Sequence, residues 1–291
     1  MADTPPPRGA DCNGARAVLA TMHGKERAIA PLAARFLGLD LRVAEGLDTD
    51  AFGTFSREIG RVGTPRKAAQ AKIAAAFALA PDARIGLASE GSFGPHPSVP
   101  FCALNRELVL LVDRETGLEL VGHHAAMDTN FAHAVVTNPS AGIDFAAKAG
   151  FPAHGVIVMG VLDGQPAPHL ALFKGIDSEA ELIAVIDRTI ALTGAAHIET
   201  DMRAHRNPRR MRAIERAMID LVRRARSRCP ACTRPGFAKT GRIHGLPCAW
   251  CASPTHLTRA EIWTCEGCGH REERPVAKAS ADPMHCEECN P

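Results

Sequence analysis

Eight of the ten cysteines in this chain of 291 residues fall into four Cys-x-x-Cys pairs: Cys229/Cys232, Cys248/Cys251, Cys265/Cys268 and Cys286/Cys289. Two thiolates three residues apart on a tight turn can grip one tetrahedral cation, so four pairs can complete two zinc sites of four cysteines each. Such sites keep no open position for water, which makes the expected zinc structural rather than catalytic. A disulfide framework would belong to a secreted chain, but the start, Met-Ala-Asp-Thr-Pro-Pro-Pro-Arg, has no apolar core. The expected compartment is therefore a reducing cytoplasm. Redox pairs of the thioredoxin kind do not come four in succession without a βαβ context.

The run from Glu261 to Val276 reads as strand, metal knuckle, strand, and Met284 to Pro291 supplies a further knuckle. Together they suggest a zinc ribbon in which Cys265, Cys268, Cys286 and Cys289 share one ion and Cys229, Cys232, Cys248 and Cys251 the other. A cross-braced arrangement that alternates pairs satisfies the same spacings. His244 and His256 lie near enough in sequence to replace a thiolate, although eight cysteines suffice.

Upstream, three clusters could do chemistry. In Ala20-Thr-Met-His-Gly-Lys-Glu26, a strand gives way to a helix N-terminus, where free backbone amides and the helix dipole favour an anion. Thr21, His23 and Lys25 add a hydroxyl, a ring nitrogen and an ammonium, and Gly24 permits close approach; the bland alternative is a solvated helix cap. In Ala88-Ser-Glu-Gly-Ser-Phe-Gly-Pro-His96, Glu90 at a strand end suits a hard cation such as Mg2+. In His123-His124-Ala-Ala-Met-Asp128, adjacent histidines on a strand face opposite ways, so at most one can join Asp128. Packing or hydrogen-bonding roles compete with a transition-metal site there.

The elements that must position these groups follow from pattern. An apolar content of 46% with 23% charged residues describes a chain large enough for one sizeable core and a satellite domain. The longest apolar runs have strand length, which excludes a membrane span. Residues 1–14, rich in Pro and Gly, read as a disordered tail. Residues 15–203 alternate short apolar runs with helical segments, the signature of an α/β domain with a mixed sheet. Strands are expected at 15–22, 41–44, 84–89, 107–113, 118–123, 154–161 and 169–174. Helices are expected at 26–37, from the Thr64-Pro65 start to Leu79, from Asn138-Pro139 to Lys148, and from the Ser178/Glu181 capping box to Leu192.

Residues 204–228 form a connecting helix whose apolar side carries Met211, Ile214, Met218, Leu221, Val222 and Ala225. Between Arg203 and Arg228 stand ten arginines, among them Arg209, Arg210 and Arg212. They could contact phosphates of a nucleic acid, or they could offset thiolate sites and acidic patches. A nucleic-acid surface commonly adds aromatics, and this chain has no Tyr and only Trp250 and Trp263. Residues 229–291 are the zinc-ribbon domain. Thiolates and zinc bring the formal net charge of +2 to about −2, so apparent basicity does not indicate nucleic acid.

Two resemblances enter on these residues. The combination of Ala20–Glu26, Glu90-Gly-Ser-Phe-Gly94, Asp201-Met-Arg-Ala-His-Arg-Asn-Pro208 and the Cys-Pro-Ala-Cys tail resembles a bacterial family, domain of unknown function 6671, which implies no activity. The order Ala-Thr-x-His-x-Lys, Thr64 before a Lys/Ala-rich helix, then strand and Glu90-Gly is similar to inosine/xanthosine triphosphate pyrophosphatases. His23 stands where that family has Asn, and Lys25 comes one residue early. The resemblance implies that Thr21, His23, Lys25 and Lys67 contact phosphates and that Glu90 holds Mg2+. Two functions are thus expected to compete: an Mg2+-dependent hydrolase of a nucleotide or phosphorylated small molecule, and a non-enzymatic zinc-ribbon adaptor binding nucleic acid or protein.

Overall fold

The computed structural model describes residues 12–52 and 63–290 and divides into two units, Cys12–Val222 and Arg223–Pro291. Most of the expected tail, residues 1–11, lies outside the described residues. Asn13 and Gly14 instead belong to a turn fixed by the Gly14 amide, which donates to the Gly38 carbonyl at 2.8 Å.

The first unit begins β1 (Arg16–Ala20), α1 (Glu26–Leu37), β2 (Asp40–Val43), α2 (Pro65–Leu79), β3 (Ile85–His96), β4 (Val99–Asp113) and β5 (Leu118–Ala126). These strands make a five-stranded mixed sheet in the order β2-β1-β3-β4-β5. β1 pairs in parallel with β2 and β3, and the last three strands form an antiparallel meander. Thr64 caps α2 as its sequence suggests, its hydroxyl accepting from the Lys67 amide. The Ala-rich stripe Ala69, Ile73 and Ala76 packs on Val18, Ala20, Ala88 and Leu110, which share one face of the sheet. The right-handed sense of parallel crossovers places α1 on the opposite face.

β3 and β4 are longer than their sequence suggests. Residues 90–94, expected to lie beyond the strand 84–89, pair one for one with residues 104–108. Two glycines lower intrinsic strand preference there, but a continuous antiparallel ladder satisfies every backbone group and prevails. Glu90 consequently lies inside β3, not at its end.

The unit continues with β6 (His133–Val136), α3 (Pro139–Ala149), β7 (Val156–Leu162), β8 (Gln165–Phe173), α4 (Glu179–Thr193), β9 (Ala196–Thr200) and α5 (Pro208–Arg226). The second sheet runs β6-β9-β7-β8, antiparallel throughout. Val156, Val158, Ala196 and Ile198 pack against Leu182 and Ile186 of α4 and Ala146 and Ala149 of α3. The short strands β6 and β9 carry no period long enough to announce themselves in sequence.

α5 starts at Asn207, whose side chain accepts from the Arg210 amide at 3.0 Å. It buries Arg210, Ala213, Ile214, Ala217, Met218, Leu221 and Val222; Met211 and Ala225, expected on the apolar side, are only half-buried, and the buried stripe instead takes in Ala213, Ala217 and an arginine. The helix lies directly on β5. A Cβ at Gly122 would meet the Ala217 carbonyl oxygen at 2.3 Å and the Leu221 nitrogen at 2.4 Å.

The second unit contains β10 (Ala238–His244), β11 (Thr258–Thr264) and β12 (Arg271–Pro275) in one antiparallel sheet. The fold is thus mixed α/β with several sheets, followed by a region holding two clusters of four cysteines. Among the described residues, no helix is long and apolar enough to cross a membrane.

Because the obstacle at Gly122 is backbone, Gly122→Ala must push α5 off the sheet and should cost about 1–3 kcal/mol, read as a lowered denaturation midpoint. Gly117→Ala, in the β4–β5 turn, meets no atom within 4 Å and carries only the strain of its φ of 66°. A Gly122→Ala chain no less stable than Gly117→Ala would refute the close contact.

Candidate functional site

Antiparallel pairing in the second unit decides which cysteines meet. β10 runs away from the Cys229/Cys232 knuckle toward Cys248/Cys251, and β11 runs back, setting Thr264 opposite Ala238 and Thr258 opposite His244. Seven extended residues separate the two ends by roughly 20 Å. The end of β11 therefore brings Cys265 and Cys268 to Cys229 and Cys232, while β12 returns the chain so that Cys286 and Cys289 reach Cys248 and Cys251. The arrangement is cross-braced. The sequential pairing suggested by order along the chain is overturned, because β10, unassigned in the sequence reading, carries consecutive knuckles to opposite ends of the sheet.

The sulfurs fit a metal. Ligand arms of about 2.3 Å give a tetrahedron with edges of about 3.8 Å. Here Cys229 and Cys268 are 3.7 Å apart, Cys232 and Cys265 3.7 Å, Cys248 and Cys289 3.9 Å, and Cys251 and Cys286 3.6 Å. Those separations are far beyond a disulfide bond of about 2.05 Å. All four knuckles share one turn: the amides of Thr233, Ala252, Gly269 and Asn290 donate to the carbonyls of Cys229, Cys248, Cys265 and Cys286, the cysteines four positions back. Thr233, Ala252 and Gly269 take left-handed backbone at φ 61°, 62° and 74°. His244 and His256 belong to neither tetrad.

In the first unit, the sheet carries a buried cluster of five charged side chains: Lys25, Lys72, Glu90, Glu107 and Arg210. The pleat of β3 and β4 sorts them. Glu90 faces α2 and pairs with Lys72. Gly91 and Glu107, opposite one another in the ladder, face α5, where Glu107 Oε1 accepts from Arg210 Nε at 2.8 Å. Arg210 also donates to the Met202 carbonyl, and its guanidinium lies over the Phe93 ring, 5.4 Å from the centroid. Gly91 makes room for this ion pair, since a Cβ there would meet Glu107 Oε1 at 2.5 Å and Arg210 Nη2 at 2.8 Å.

Lys25 enters from the β1–α1 turn, and its ammonium donates to the Ser89 carbonyl at 3.0 Å. Burial first, and then the Arg210 guanidinium, pull its pKa from 10.5 down to about 7, against the opposing pull of Glu90. Two carboxylates thus face three cations.

Other residues singled out from sequence are placed differently. Thr21 is buried beside this turn, its hydroxyl within 3.4 Å of the His23 amide. His23 is held by Asp50, Nε2 to Oδ1 at 2.9 Å, and burial lowers its pKa. Lys67 is exposed in the first turn of α2, and Lys72 instead occupies the buried position. Glu90 does not fit Mg2+, an ion that keeps most of its water, since the carboxylate is committed to an ammonium in the core. On β5 the His123 backbone amide donates to Asp220 Oδ2 at 2.9 Å, and the His124 pKa is lowered by burial and then by Arg216. Asp128 pairs with Arg209 at 3.4 Å, so the three form no common site.

Arg210 is a core cation, unlike the surface charge expected of an Arg-rich helix, and the Asp201–Pro208 segment explains why. Asp201 holds Arg203, with Nη2 to Oδ2 at 2.6 Å, and Asn207 caps α5. Together they aim Arg210 inward. Arg206 pairs with Asp177. Four of the ten arginines are therefore engaged within the unit.

Residues 76–291 match the family described as a domain of unknown function (DUF6671). The chain belongs to that family. Its match takes in Glu90, Glu107, Arg210 and all eight paired cysteines, whereas Lys25 and Lys72 precede it. No curated protein matches the chain. The resemblance to inosine/xanthosine triphosphate pyrophosphatases finds no counterpart in these matches.

The cross-brace predicts metal content. Cys229→Ser with Cys265→Ser strikes one tetrad and should leave one ion per chain by elemental analysis, whereas Cys229→Ser with Cys248→Ser strikes both and should leave none. The reverse result would restore sequential pairing. Arg210→Met strands the Glu107 carboxylate and should cost about 3–5 kcal/mol in urea unfolding; Arg212→Met, at an exposed position, should stay within about 0.5 kcal/mol.

Proposed function

We propose that the first unit binds a phosphorylated small molecule, a nucleotide among the candidates, at the carboxyl end of β1 and hydrolyses it. The observation that carries this reading is Lys25, a buried ammonium that among the described residues donates to the Ser89 carbonyl and forms no ion pair with a carboxylate of its own. Sheets with the strand order 2-1-3-4-5 commonly bind ligands outside the carboxyl ends of their strands, where β1 and β3 part. Lys25 stands there at the start of α1, whose first amides and dipole favour an anion. A bound phosphate supplies the missing negative charge. Phosphoryl transfer asks mainly for positioning and electrostatics, which Lys25 and the helix start supply. No step is assigned to Mg2+.

For the second unit we propose that the ions are zinc and structural. Four thiolates favour zinc over harder cations, and four protein ligands per ion leave no position for substrate. Chelation should unfold Arg223–Pro291, since such sites contribute about 10–16 kcal/mol of apparent binding energy to folding.

A second reading, that this unit docks on nucleic acid or a protein, draws support from Trp250, 79% exposed between Cys248 and Cys251, and from exposed Arg223, Arg226 and Arg228. A complex with RNA or DNA that weakens with salt, and weakens again in Trp250→Ala, would favour it.

The phosphate reading has a defined pH sense. Lys25 is protonated below about pH 7, so affinity for pyrophosphate should fall as pH rises through that value. Lys25→Met should weaken binding by about 1.5–3 kcal/mol and remove the pH dependence, while Lys67→Met should change little. Unfolding shows the opposite slope: between about 7 and 10.5 the unfolded chain holds a proton that folded Lys25 lacks, so stability from this group grows with pH. Calorimetric titration with pyrophosphate at pH 6 and pH 8.5, beside a screen of nucleoside triphosphates with and without Mg2+, tests the proposal. Equal affinity of wild type and Lys25→Met would end it.

A further inference from the structure

The turn that delivers Lys25 also delivers a histidine with a partner of its own. His23 Nε2 lies 2.9 Å from Asp50 Oδ1, and its ring stacks on His205, with centroids 5.2 Å apart and planes 22° from parallel. Asp50 comes from the short 3-10 turn Asp50–Phe52 and His205 from another, Ala204–Arg206. Three segments remote in sequence thus fix one imidazole two residues from Lys25. Gly24, left-handed at φ 70°, makes the turn possible, and a Cβ there would already touch His205 at 3.6 Å.

A carboxylate on Nε2 holds the ring N–H at that nitrogen and leaves the Nδ1 lone pair free to accept a proton, the same division of labour by which a carboxylate orients a basic histidine in hydrolases. We propose that His23 is the general base of the hydrolysis and Asp50 its positioning residue, an assignment that rests on the phosphate reading of the same turn. Water attacks phosphorus through an oxygen lone pair, forming the new O–P bond, while its proton passes to His23 Nδ1. The P–O bond to the leaving group breaks, its electron pair stays on the leaving oxygen, and the Lys25 ammonium offsets the charge that develops. His23 then releases its proton to solvent.

The charges facing His23 are Asp50, Lys25 and Arg203, with His205 stacked on it. Burial, the largest influence, lowers the His23 pKa from 6.5, against the raising effect of Asp50, so the ring is the free base at neutral pH. Activity should therefore rise as His23 deprotonates and fall as Lys25 loses its proton at about 7, giving a bell-shaped profile.

The test uses the full chain with its metals, sodium pyrophosphate as binding probe and a mixture of nucleoside triphosphates as turnover probe, with liberated phosphate measured. His23→Gln should lower turnover by about 10²–10⁴-fold while pyrophosphate affinity stays within about twofold, which also shows that the variant folds. Asp50→Asn should lower turnover and move the acid limb of the profile to lower pH. In the same variant the His23 imidazole resonances should titrate at lower pH, whether or not substrate turns over. Full turnover in His23→Gln, or an unmoved His23 titration in Asp50→Asn, overturns the assignment. Wild type that binds pyrophosphate but releases no phosphate overturns the base while leaving the binding reading intact. Wild type that does not bind pyrophosphate overturns both.

Discussion

Burial of five charged side chains on one sheet is the constraint around which the Cys12–Val222 unit is built. Removing a charge from water costs several kcal/mol even after relaxation, so each must find a partner. Glu90 with Lys72 and Glu107 with Arg210 answer that demand on opposite faces of β3 and β4, and the pleat keeps the pairs apart. Much of the surrounding sequence follows from it. Gly91 has no side chain because the Glu107–Arg210 pair occupies that space. Asn207 caps α5 at the one register that turns Arg210 toward the sheet, and Gly122 lets the same helix come close enough for the pair to form. Each carboxylate of the two pairs has its own cation without Lys25, which makes the fifth charge the one that ligand chemistry can use.

The element types of the first unit were largely legible, because long periodic helices and capped starts such as Thr64-Pro65 and Asn138-Pro139 carry local signals that tertiary structure did not override. The extent of β3 and β4 was not. Gly91, Ser92 and Gly94 look like a turn, and only their partners on β4, remote in sequence, make them a ladder. The same limit hid the charge cluster. Lys72 shares a helical stripe with Ala69, Ile73 and Ala76, and Arg210 shares one with Ile214 and Ala217. Either could have been flagged as a charge on an apolar face, but the partners that explain them, Glu90 and Glu107, are set by strand register. Lys25 was found because a strand-to-helix turn is local, whereas Lys67 rested only on the resemblance to the pyrophosphatases, which carries no information on which lysine of α2 is buried.

The metal centres show the complementary case. The cysteines and their number were evident from spacing alone, since a Cys-x-x-Cys turn is a local object, and the four repeat one backbone hydrogen bond. Their partnership was not local. It depends on the direction in which β10 leaves the first knuckle, and β10 is a short strand, Ala-Lys-Thr-Gly-Arg-Ile-His, with a central glycine and little apolar alternation. In a cross-brace each tetrad ties together segments that the sheet has already brought into register, so metal binding and strand pairing reinforce one another. In a sequential arrangement each tetrad could close before the sheet formed. Metal binding at cross-braced tetrads would therefore be cooperative with pairing of the three strands.

That cooperativity bears on the end of α5 as well. The first unit encloses strongly interacting charges whose pairing requires α5 to be held at one register, and α5 runs without interruption from Pro208 to Arg226, its last four residues belonging to the second unit. Beyond that point, the Gly236 amide donates to the carbonyls of Arg224 and Ser227, and the Ser227 hydroxyl bonds the Phe237 carbonyl. The last turn of the helix is thus fastened to the segment between the first knuckle and β10. A helix end that would otherwise fray is closed by backbone whose own conformation depends on Cys229 and Cys232. A metal held by Cys229 and Cys232 would thereby hold the last turn of α5 in place as well.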